Sequence, residues 1–582
     1  MKQIFTIGEV LNYIESNYNN PKALVSYTNK GWKALSTREF IEQVQSVIHS
    51  LMQLGIKKGD KVGLLALPSA EWTVADYAIM GMGAISVPLF ANLSSENFIF
   101  EIQQTSIKTV FVGGAEQWER VTHYADLFDH IIGIDDHECS DKSISYSDFL
   151  KKGKEGCGIN YRDIILNIKP TDIATIIYTS GSTGRPKGAV HTHHSLTSLL
   201  PTSTYNWDNK KDSYLSFLPL AHVFARMINL ISTSWGISTY YYNDVKNLGA
   251  ICKEIRPTTL VVVPRLLEKI YNKMHSQVEN SYWIKKAIGK FAFSLAHQKH
   301  PSLIKTLFFP LMDKLVYKHL REALGNNLRV IFCGGAPLNP HLYHFFLQVG
   351  FPIYEGWGLT ESCPISANAP GKIKIGTVGT PIPGMFVKVN PEGELLSRGE
   401  MLMNKYYHVI EEKGAPNAID SEGWLHTGDK GSIDSEGYIT IIGRIKELFK
   451  TSIGEWVSPI PIEQELEKEP FIDTAIVIAE NRKFASCLII PEFETISHLK
   501  RKYGVESISD EEFLKSQSIR QEMRRTLDKV NAKLNEWSQI KDYRFIPKPL
   551  SIEEGELTPS MKVKRDVIEK KYKGLIDSMY QE

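Results

Sequence analysis

A loop rich in glycine and hydroxyl residues follows a short apolar run at 173–177. The run is rich in β-branched residues, which predicts a buried strand. Glycine lets backbone N–H groups turn toward an anion, while serine, threonine and lysine add donors and positive charge. The loop is therefore expected to hold a polyphosphate, and the residues predicted to contact it are Thr179, Ser180, Gly181, Ser182, Thr183, Gly184 and Lys187.

The spacing in this loop excludes a Walker A motif. That motif needs four residues between its glycines and a serine or threonine after its lysine. Here only two residues separate Gly181 from Gly184, and Gly188 follows Lys187. A flexible glycine-serine linker is the structural alternative.

Two more strings contain residues suited to nucleotide chemistry. Residues 354–361 combine aromatic rings and glycines with Thr360 and Glu361. Residues 423–429 end in Asp429, a carboxylate that can accept hydrogen bonds from two hydroxyl groups. Each string alone is also compatible with an ordinary turn. The prediction of a nucleotide site therefore depends on the loop and both strings occurring in one chain, in this order.

In this order the strings resemble those of the AMP-forming adenylate synthetases, the superfamily that includes the acyl-CoA synthetases. Residues 179–188 resemble its phosphate loop, 354–361 its aromatic-Gly-x-Thr-Glu signature and 423–429 its ribose-binding string. The resemblance extends from about Ser36 to Lys570.

The resemblance implies that a carboxylate attacks the α-phosphate of ATP, pyrophosphate leaves, and the acyl group passes from AMP to coenzyme A. It implies that Thr360 touches the α-phosphate, and that Glu361 and Thr183 hold Mg²⁺. The resemblance implies that Gly335, Ala336 and Pro337 pack against adenine and that Asp429 and Arg444 contact the ribose. The remaining nucleotide contacts that it implies are Glu355, Gly356, Trp357 and Gly358.

Two lysines in the C-terminal part resemble the catalytic lysines of the two half-reactions. Lys562, after Thr-Pro, matches the adenylation lysine, although Met561 stands where many relatives have glycine. Lys450 matches a position that faces the thiol, and Lys446 matches the interdomain hinge. The predicted coenzyme A contacts are Ser452 and Gly454, in a loop where Ile453 replaces the first of two family glycines.

The predicted acid is a long-chain fatty acid. Residues 218–226 and 263–271 resemble the long-chain acyl-CoA synthetases, although Ala225 stands where these commonly have glutamate. A medium-chain or aryl acid, or transfer to an acyl-carrier protein, remains an alternative, as does a non-catalytic lipid-binding or scaffold protein. The residues predicted to line the acyl pocket are His222, Phe224, Met227 and Trp235.

Strand and helix patterns alternate through the first half of the chain, which predicts an α/β fold of parallel sheets covered on both faces. We expect a large N-terminal domain at 1–445, with a distorted antiparallel β-barrel subdomain at about 376–440. A small mobile C-terminal α+β lid is expected at 446–582. Residues 140–172 are expected to be irregular, and 511–537 to form one long helix.

Composition excludes several classes of protein. Lys and Arg number 67 against 66 Asp and Glu, so no net field favours nucleic acid. The 6 cysteines have no zinc-site spacing, which predicts a reducing cytoplasm. The first ten residues include Glu9 and no apolar core, so no signal peptide is expected.

Residues 281–324 are basic and amphipathic. Such a segment can rest on the anionic inner face of a membrane, which would suit a fatty-acid substrate. It can equally be a surface helical hairpin packed on its own domain, and the sequence leaves both interpretations open.

Overall fold

The structure, a computed structural model, describes residues 3–135, 143–156, 158–179, 186–202, 205–298, 303–408, 418–450, 456–480, 482–558 and 561–581. The chain forms two compact units. Unit 1 comprises Met1–Lys388, Leu396–Thr427 and Ile433–Thr440. Unit 2 comprises Val389–Leu395, Gly428–Ser432 and Ile441–Glu582.

The strands before residue 370 are β1 Leu24–Thr28, β2 Gly31–Leu35, β3 Lys61–Ala66, β4 Ile85–Pro88, β5 Thr109–Gly113, β6 His130–Gly133, β7 Ser143–Ser145, β8 Ile173–Thr179, β9 Lys187–Thr192, β10 Ser213–Ser216, β11 Ser238–Tyr241, β12 Thr259–Val262, β13 Val330–Cys333, β14 Ile353–Leu359 and β15 Cys363–Ala367. The later strands are β16 Thr380–Pro381, β17 Met385–Val389, β18 Glu394–Gly399, β19 Lys405–Tyr406, β20 Leu425–Ile433, β21 Ile439–Arg444, β22 Phe449–Lys450, β23 Trp456–Val457, β24 Ile472–Ile478, β25 Ala485–Pro491 and β26 Ile540–Phe545.

The helices of unit 1 are α1 Ile7–Asn17, α2 Thr37–Gln53, α3 Ala70–Gly81, α4 Ser95–Thr105, α5 Ala115–His123, α6 Tyr146–Lys154, α7 Tyr161–Leu166, α8 His193–Thr197, α9 Val223–Ser234, α10 Leu248–Ile255, α11 Pro264–Glu279, α12 Trp283–His297, α13 Leu303–Met312, α14 Lys318–Glu322 and α15 Pro340–Val349. Those of unit 2 are α16 Pro459–Leu466, α17 Phe493–Lys502, α18 Asp510–Lys515, α19 Gln517–Asn531, α20 Arg565–Lys571 and α21 Lys573–Asp577.

Two large sheets form the framework of unit 1. Within the described residues, one sheet has the order β19-β9-β8-β4-β3-β5-β6-β7 and the other β16-β15-β14-β13-β12-β10-β11-β1-β2. Their central strands pair in parallel, and helices make the crossovers, as the alternating pattern predicts. The described helices include none with the length and the apolar run that crossing a bilayer needs.

The segment at 376–407 contributes strands to three sheets rather than to one. β17 and β18 join β20 and β21 in a four-stranded antiparallel sheet. In contrast, β16 pairs with β15 and β19 pairs with β9 in the large sheets. Short strands separated by turns carry no local signal for which sheet edge they will reach.

Two of the expected local structures are wrong. Residues 140–172 contain β7, α6 and α7, and Ser145 caps α6, its side chain accepting a hydrogen bond from the Asp148 backbone N–H. Residues 511–537 form two helices rather than one, because Ser516 has an extended backbone that ends α18 and caps α19. In unit 2 these helices accompany a three-stranded sheet of β24, β25 and β26.

A buried ion pair joins the helices and strands between the two large sheets. The Arg226 guanidinium on α9 donates to Asp76 on α3 (Nε to Oδ2, 2.9 Å) and to the Thr175 hydroxyl on β8 (2.7 Å). Both charged side chains are at most 6% exposed. Ser86 on β4 donates a further hydrogen bond to Asp76 at 2.6 Å. These bonds thus connect α9, a crossover helix of the sheet that contains β10, to α3, β4 and β8, which belong to the other sheet.

Removing one charge of this pair leaves the other buried without its partner. We expect Arg226→Met to lower the free energy of unfolding by about 3–5 kcal/mol, measured by urea unfolding with circular dichroism. The matched control is Arg38→Met, since Arg38 belongs to an exposed pair with Glu42 and its loss should change little. Equal unfolding midpoints for the two variants would contradict this account.

Candidate active site

The Thr360–Glu361 corner lies between β14 and β15, which pair as an antiparallel hairpin. A Cβ on Gly358 would lie 2.2 Å from the carbonyl oxygen of Cys363, so only glycine fits at that position. The two strands therefore approach closely, and they hold the corner in one conformation.

A histidine fixes the backbone at this corner. The Nε2–H of His191 on β9 donates to the carbonyl oxygen of Thr360 at 2.7 Å. Burial lowers the pKa of His191 to about 4, so the ring is neutral near pH 7. The hydrogen bond ties the corner to the strand that follows the predicted phosphate loop.

The Glu361 carboxylate also has a defined partner. The Tyr406 hydroxyl donates to Glu361 Oε1 at 2.6 Å, and the Met403 backbone N–H donates to the Glu361 carbonyl at 2.7 Å. The Lys187 ammonium lies 5.4 Å from the centre of the Tyr406 ring. The structure therefore brings Thr360, Glu361 and Lys187 to one place in unit 1.

A buried glutamate supports the segment predicted to pack on adenine, Gly335, Ala336 and Pro337. The Leu338 backbone N–H, at the end of that segment, donates to Glu355 Oε1 at 2.8 Å. Burial raises the pKa of Glu355 to about 8. Gly335 has a φ of +84°, in the left-handed region that favours glycine. The Glu355 side chain thus braces this segment from the protein interior.

Helix α9 carries the residues predicted for the acyl pocket. His222 caps its N-terminus, its Nδ1 accepting from the Phe224 backbone N–H at 3.2 Å. The Phe224 ring lies within 3.4 Å of where a Cβ on Gly334 would be, so α9 begins beside the predicted adenine segment. Met227 is buried. Trp235, at the C-terminal end, is about 20 Å along the axis from His222.

Unit 2 contains the predicted ribose contacts. Asp429, which is buried, forms an ion pair with Arg444 at 3.1 Å. Gly428, one residue before, donates its backbone N–H to Glu394 Oε1 at 2.9 Å. The predicted pair of residues is thus adjacent in space.

The predicted adenylation lysine, Lys562, is exposed on a short turn of unit 2. Its backbone N–H donates to Thr558 Oγ1 at 3.0 Å, and its carbonyl accepts from the Thr558 N–H at 2.7 Å. Met561 has a φ of +63°, a conformation that usually requires glycine. A glycine at position 561 would adopt this conformation without steric strain.

The predicted hinge, Lys446, lies in a short 3₁₀ helix of unit 2. Several other predicted residues are described only in part or lie outside the described residues. Lys450 ends β22, but its side chain is not described. The predicted contacts in the undescribed parts are Ser180, Gly181, Ser182, Thr183, Gly184, Ser452 and Gly454. Of the other predicted phosphate contacts, Thr179 ends β8 and Lys187 begins β9.

Sequence reasoning missed Tyr406 and gave His191 no role at the corner. Both residues act through partners far away in sequence, 45 positions for Tyr406 and 169 for His191. Local patterns contain no signal for such pairs.

Comparison with known proteins decides the family. A model of the AMP-binding enzyme family matches residues 15–407, and one of the AMP-binding enzyme C-terminal domain matches residues 447–582. The chain belongs to the AMP-binding enzyme family. The resemblance predicted from the motifs is confirmed.

Similar proteins support the same assignment. The long-chain-fatty-acid–CoA ligase FadD15 of Mycobacterium bovis is 32% identical, and the alignment covers 99% of this chain and 98% of the relative. The long-chain-fatty-acid–CoA ligase ACSBG2 of Xenopus laevis is 29% identical, with 99% and 84% covered. Among solved structures, the adenylation domain of a carboxylate reductase from Mycobacterium chelonae has a TM-score of 0.79 at 19% identity, with 99% and 91% covered. The predicted α/β fold class is confirmed.

The buried Glu355 predicts a pH dependence of stability. Its pKa is about 8 in the folded chain against a usual value of 4.5, so the folded state retains a proton that the unfolded state has lost between those values. Stability should therefore fall as pH rises from about 5 to 8. Glu355→Gln keeps an acceptor for Leu338 and cannot ionise. The stability of this variant relative to the wild type should therefore increase as the pH rises across that range. Thermal unfolding at several pH values measures this; parallel curves for the two proteins would contradict it.

Proposed function

We propose that this protein is a long-chain fatty acid–CoA ligase that forms AMP. The observation that carries the proposal is the corner where Thr360 and Glu361 lie beside Lys187, at the strand that follows the glycine-rich loop. Full-length similarity to enzymes named long-chain-fatty-acid–CoA ligase supports the choice of acid and acceptor.

In the first half-reaction, a fatty-acid carboxylate oxygen attacks the α-phosphorus of ATP. A bond forms between that oxygen and phosphorus, and the bond to the bridging oxygen breaks, so pyrophosphate leaves with the electron pair. Thr360 contacts the α-phosphate, Lys187 and the glycine-rich loop hold the outgoing phosphates, and Lys562 brings positive charge to the reacting oxygens. Asp429 and Arg444 hold the ribose.

The residues at the corner fit a magnesium ion. Mg²⁺ in nucleotide sites is usually held by one or two carboxylates together with the phosphates, and Glu361 offers a carboxylate that its hydrogen bond from Tyr406 already orients. Thr183 is the second proposed ligand. When bound, the ion neutralises charge that develops on the phosphates.

In the second half-reaction the thiol of coenzyme A attacks the acyl carbon, and AMP leaves. We assign this step to Lys450, Ser452 and Gly454. The proposed domains are an N-terminal domain at 1–445 and a C-terminal lid at 446–582 that rotates about Lys446 between the two steps.

The acyl chain is proposed to run along α9. His222 lies at the end of the helix near the predicted adenine segment, and Phe224, Met227 and Trp235 follow along it. The helix is 12 residues long, about 18 Å, which is close to the length of an extended long-chain fatty acid.

The test is a panel of saturated acids from short to very long chain, with pyrophosphate release and thioester formation measured separately. We expect long chains and free coenzyme A to be preferred over short or aryl acids and over a holo-carrier protein. A preference for the carrier protein would show that the acceptor is not coenzyme A. If no acid supported ATP–pyrophosphate exchange, the assignment as an enzyme would be wrong.

Two lysine variants separate the half-reactions. Lys562→Ala should lower pyrophosphate release by about 100-fold or more, because it removes a charge aimed at the reacting phosphate. Lys450→Ala should keep pyrophosphate release and lose thioester formation. Lys564→Ala, in the same basic run, is the control and should behave as the wild type. Normal adenylation by Lys562→Ala would show that its assignment is wrong.

We also propose a cytoplasmic protein that touches the inner face of a membrane through 281–324. The four cysteines that the structure describes are buried free thiols, which suits a reducing compartment. Helix α13 turns apolar side chains outward, with Leu303 91% and Leu307 73% exposed. Exposed Lys285 and Lys314 add positive charge to the segment, which favours an anionic lipid surface.

Charge placed on this helix should abolish membrane contact. Leu303→Asp with Leu307→Asp should weaken sedimentation with phosphatidylcholine–phosphatidylglycerol vesicles by about tenfold or more, since two leucines proposed to enter the lipid are lost. Leu166→Asp is the control, because Leu166 is exposed at 56% in α7. Equal sedimentation of both variants would favour the hairpin as a purely structural element.

A further inference from the structure

The Tyr406 side chain contacts two predicted functional groups at once. Its hydroxyl donates to Glu361 Oε1 at 2.6 Å, and its ring lies under the Lys187 ammonium, 5.4 Å from the ring centre. A carboxylate that accepts a hydrogen bond is restricted in rotation, and an ammonium over an aromatic face is attracted by the ring quadrupole. One aromatic residue thus restrains both groups.

The backbone holds Tyr406 at this position. Strand β19 pairs with β9, placing Tyr406 opposite Ala189. On either side, the Asn404 N–H donates to Val190 at 2.7 Å and the Tyr407 N–H donates to Gly188 at 2.8 Å. Tyr406 is therefore fixed to the same strand that begins with Lys187.

The segment around Tyr406 also holds the backbone of Glu361. The Met403 N–H donates to the Glu361 carbonyl at 2.7 Å, so this segment restrains Glu361 through both main chain and side chain. The hydroxyl occupies one oxygen of the carboxylate and leaves acceptor positions on the group for a cation.

We propose that Tyr406 is a positioning residue that orients Glu361 toward the magnesium ion of the nucleotide complex and keeps Lys187 directed at the phosphates. This proposal rests on the proposed function. Groups that hydrogen-bond to metal-ligating carboxylates commonly set metal affinity, and their loss costs about 10- to 100-fold.

The test measures metal binding without turnover. Mn²⁺ replaces Mg²⁺ and α,β-methylene-ATP replaces ATP, and bound Mn²⁺ is quantified by electron paramagnetic resonance. Tyr406→Phe removes only the hydroxyl, so Mn²⁺ affinity should fall about 10- to 100-fold. Affinity for the analogue in EDTA should stay unchanged, because the ring beneath Lys187 remains.

A second variant separates the ring from the hydroxyl. Tyr406→Leu removes both, so it should lose Mn²⁺ affinity like Tyr406→Phe and also bind the analogue in EDTA about two- to fivefold more weakly. Both variants lack the hydroxyl, so either one that keeps a normal thermal transition tests the metal proposal.

The neighbouring Tyr407→Phe is the matched control and should leave both affinities unchanged. Mn²⁺ affinity of Tyr406→Phe within twofold of the wild type would overturn the positioning role, as would an equal loss in Tyr407→Phe. If the wild-type protein itself bound no Mn²⁺–nucleotide complex, the proposed ligase function would fail instead.

Discussion

The buried ion pair between Arg226 and Asp76 is the constraint on which the arrangement of unit 1 depends. A charged pair out of water is stable only when its remaining donors and acceptors are satisfied. Thr175 and Ser86 complete that requirement here. The geometry of the hydrogen bonds therefore fixes the position of α9, the helix proposed to bind the acid, against β8, the strand that precedes the glycine-rich loop.

His222 caps the N-terminus of α9, four residues before Arg226, so the same ion pair holds the helix end that lies beside the predicted adenine segment. The corner at Thr360 is fixed separately, by neutral His191 on β9. Because β8 and β9 are adjacent strands, both anchors act on one small region of sheet. Helix α9 and the Thr360–Glu361 corner both belong to the sheet that contains β10 and β14, and they are thus bonded to β8 and β9, respectively, of the other sheet.

Much of the fold was predictable from the sequence because its signals are local. Runs of β-branched residues indicated the central strands, and the glycine-rich strings indicated the loops at their ends. The helices at 146–166 were missed because their capping residues and short length resemble a polar loop. The pairing of β19 with β9 and the bond from Tyr406 to Glu361 could not be predicted, since each joins residues far apart in the chain.

The tight hairpin at Gly358 also limits how this scaffold can be redesigned. A side chain there would collide with the Cys363 carbonyl at 2.2 Å, so variant libraries that include this turn would consist largely of misfolded members. Diversity is better introduced on the half-buried side of α9, at Phe224 and Trp235. Both positions lie outside the hairpin, so substitutions there leave the Thr360–Glu361 corner in place.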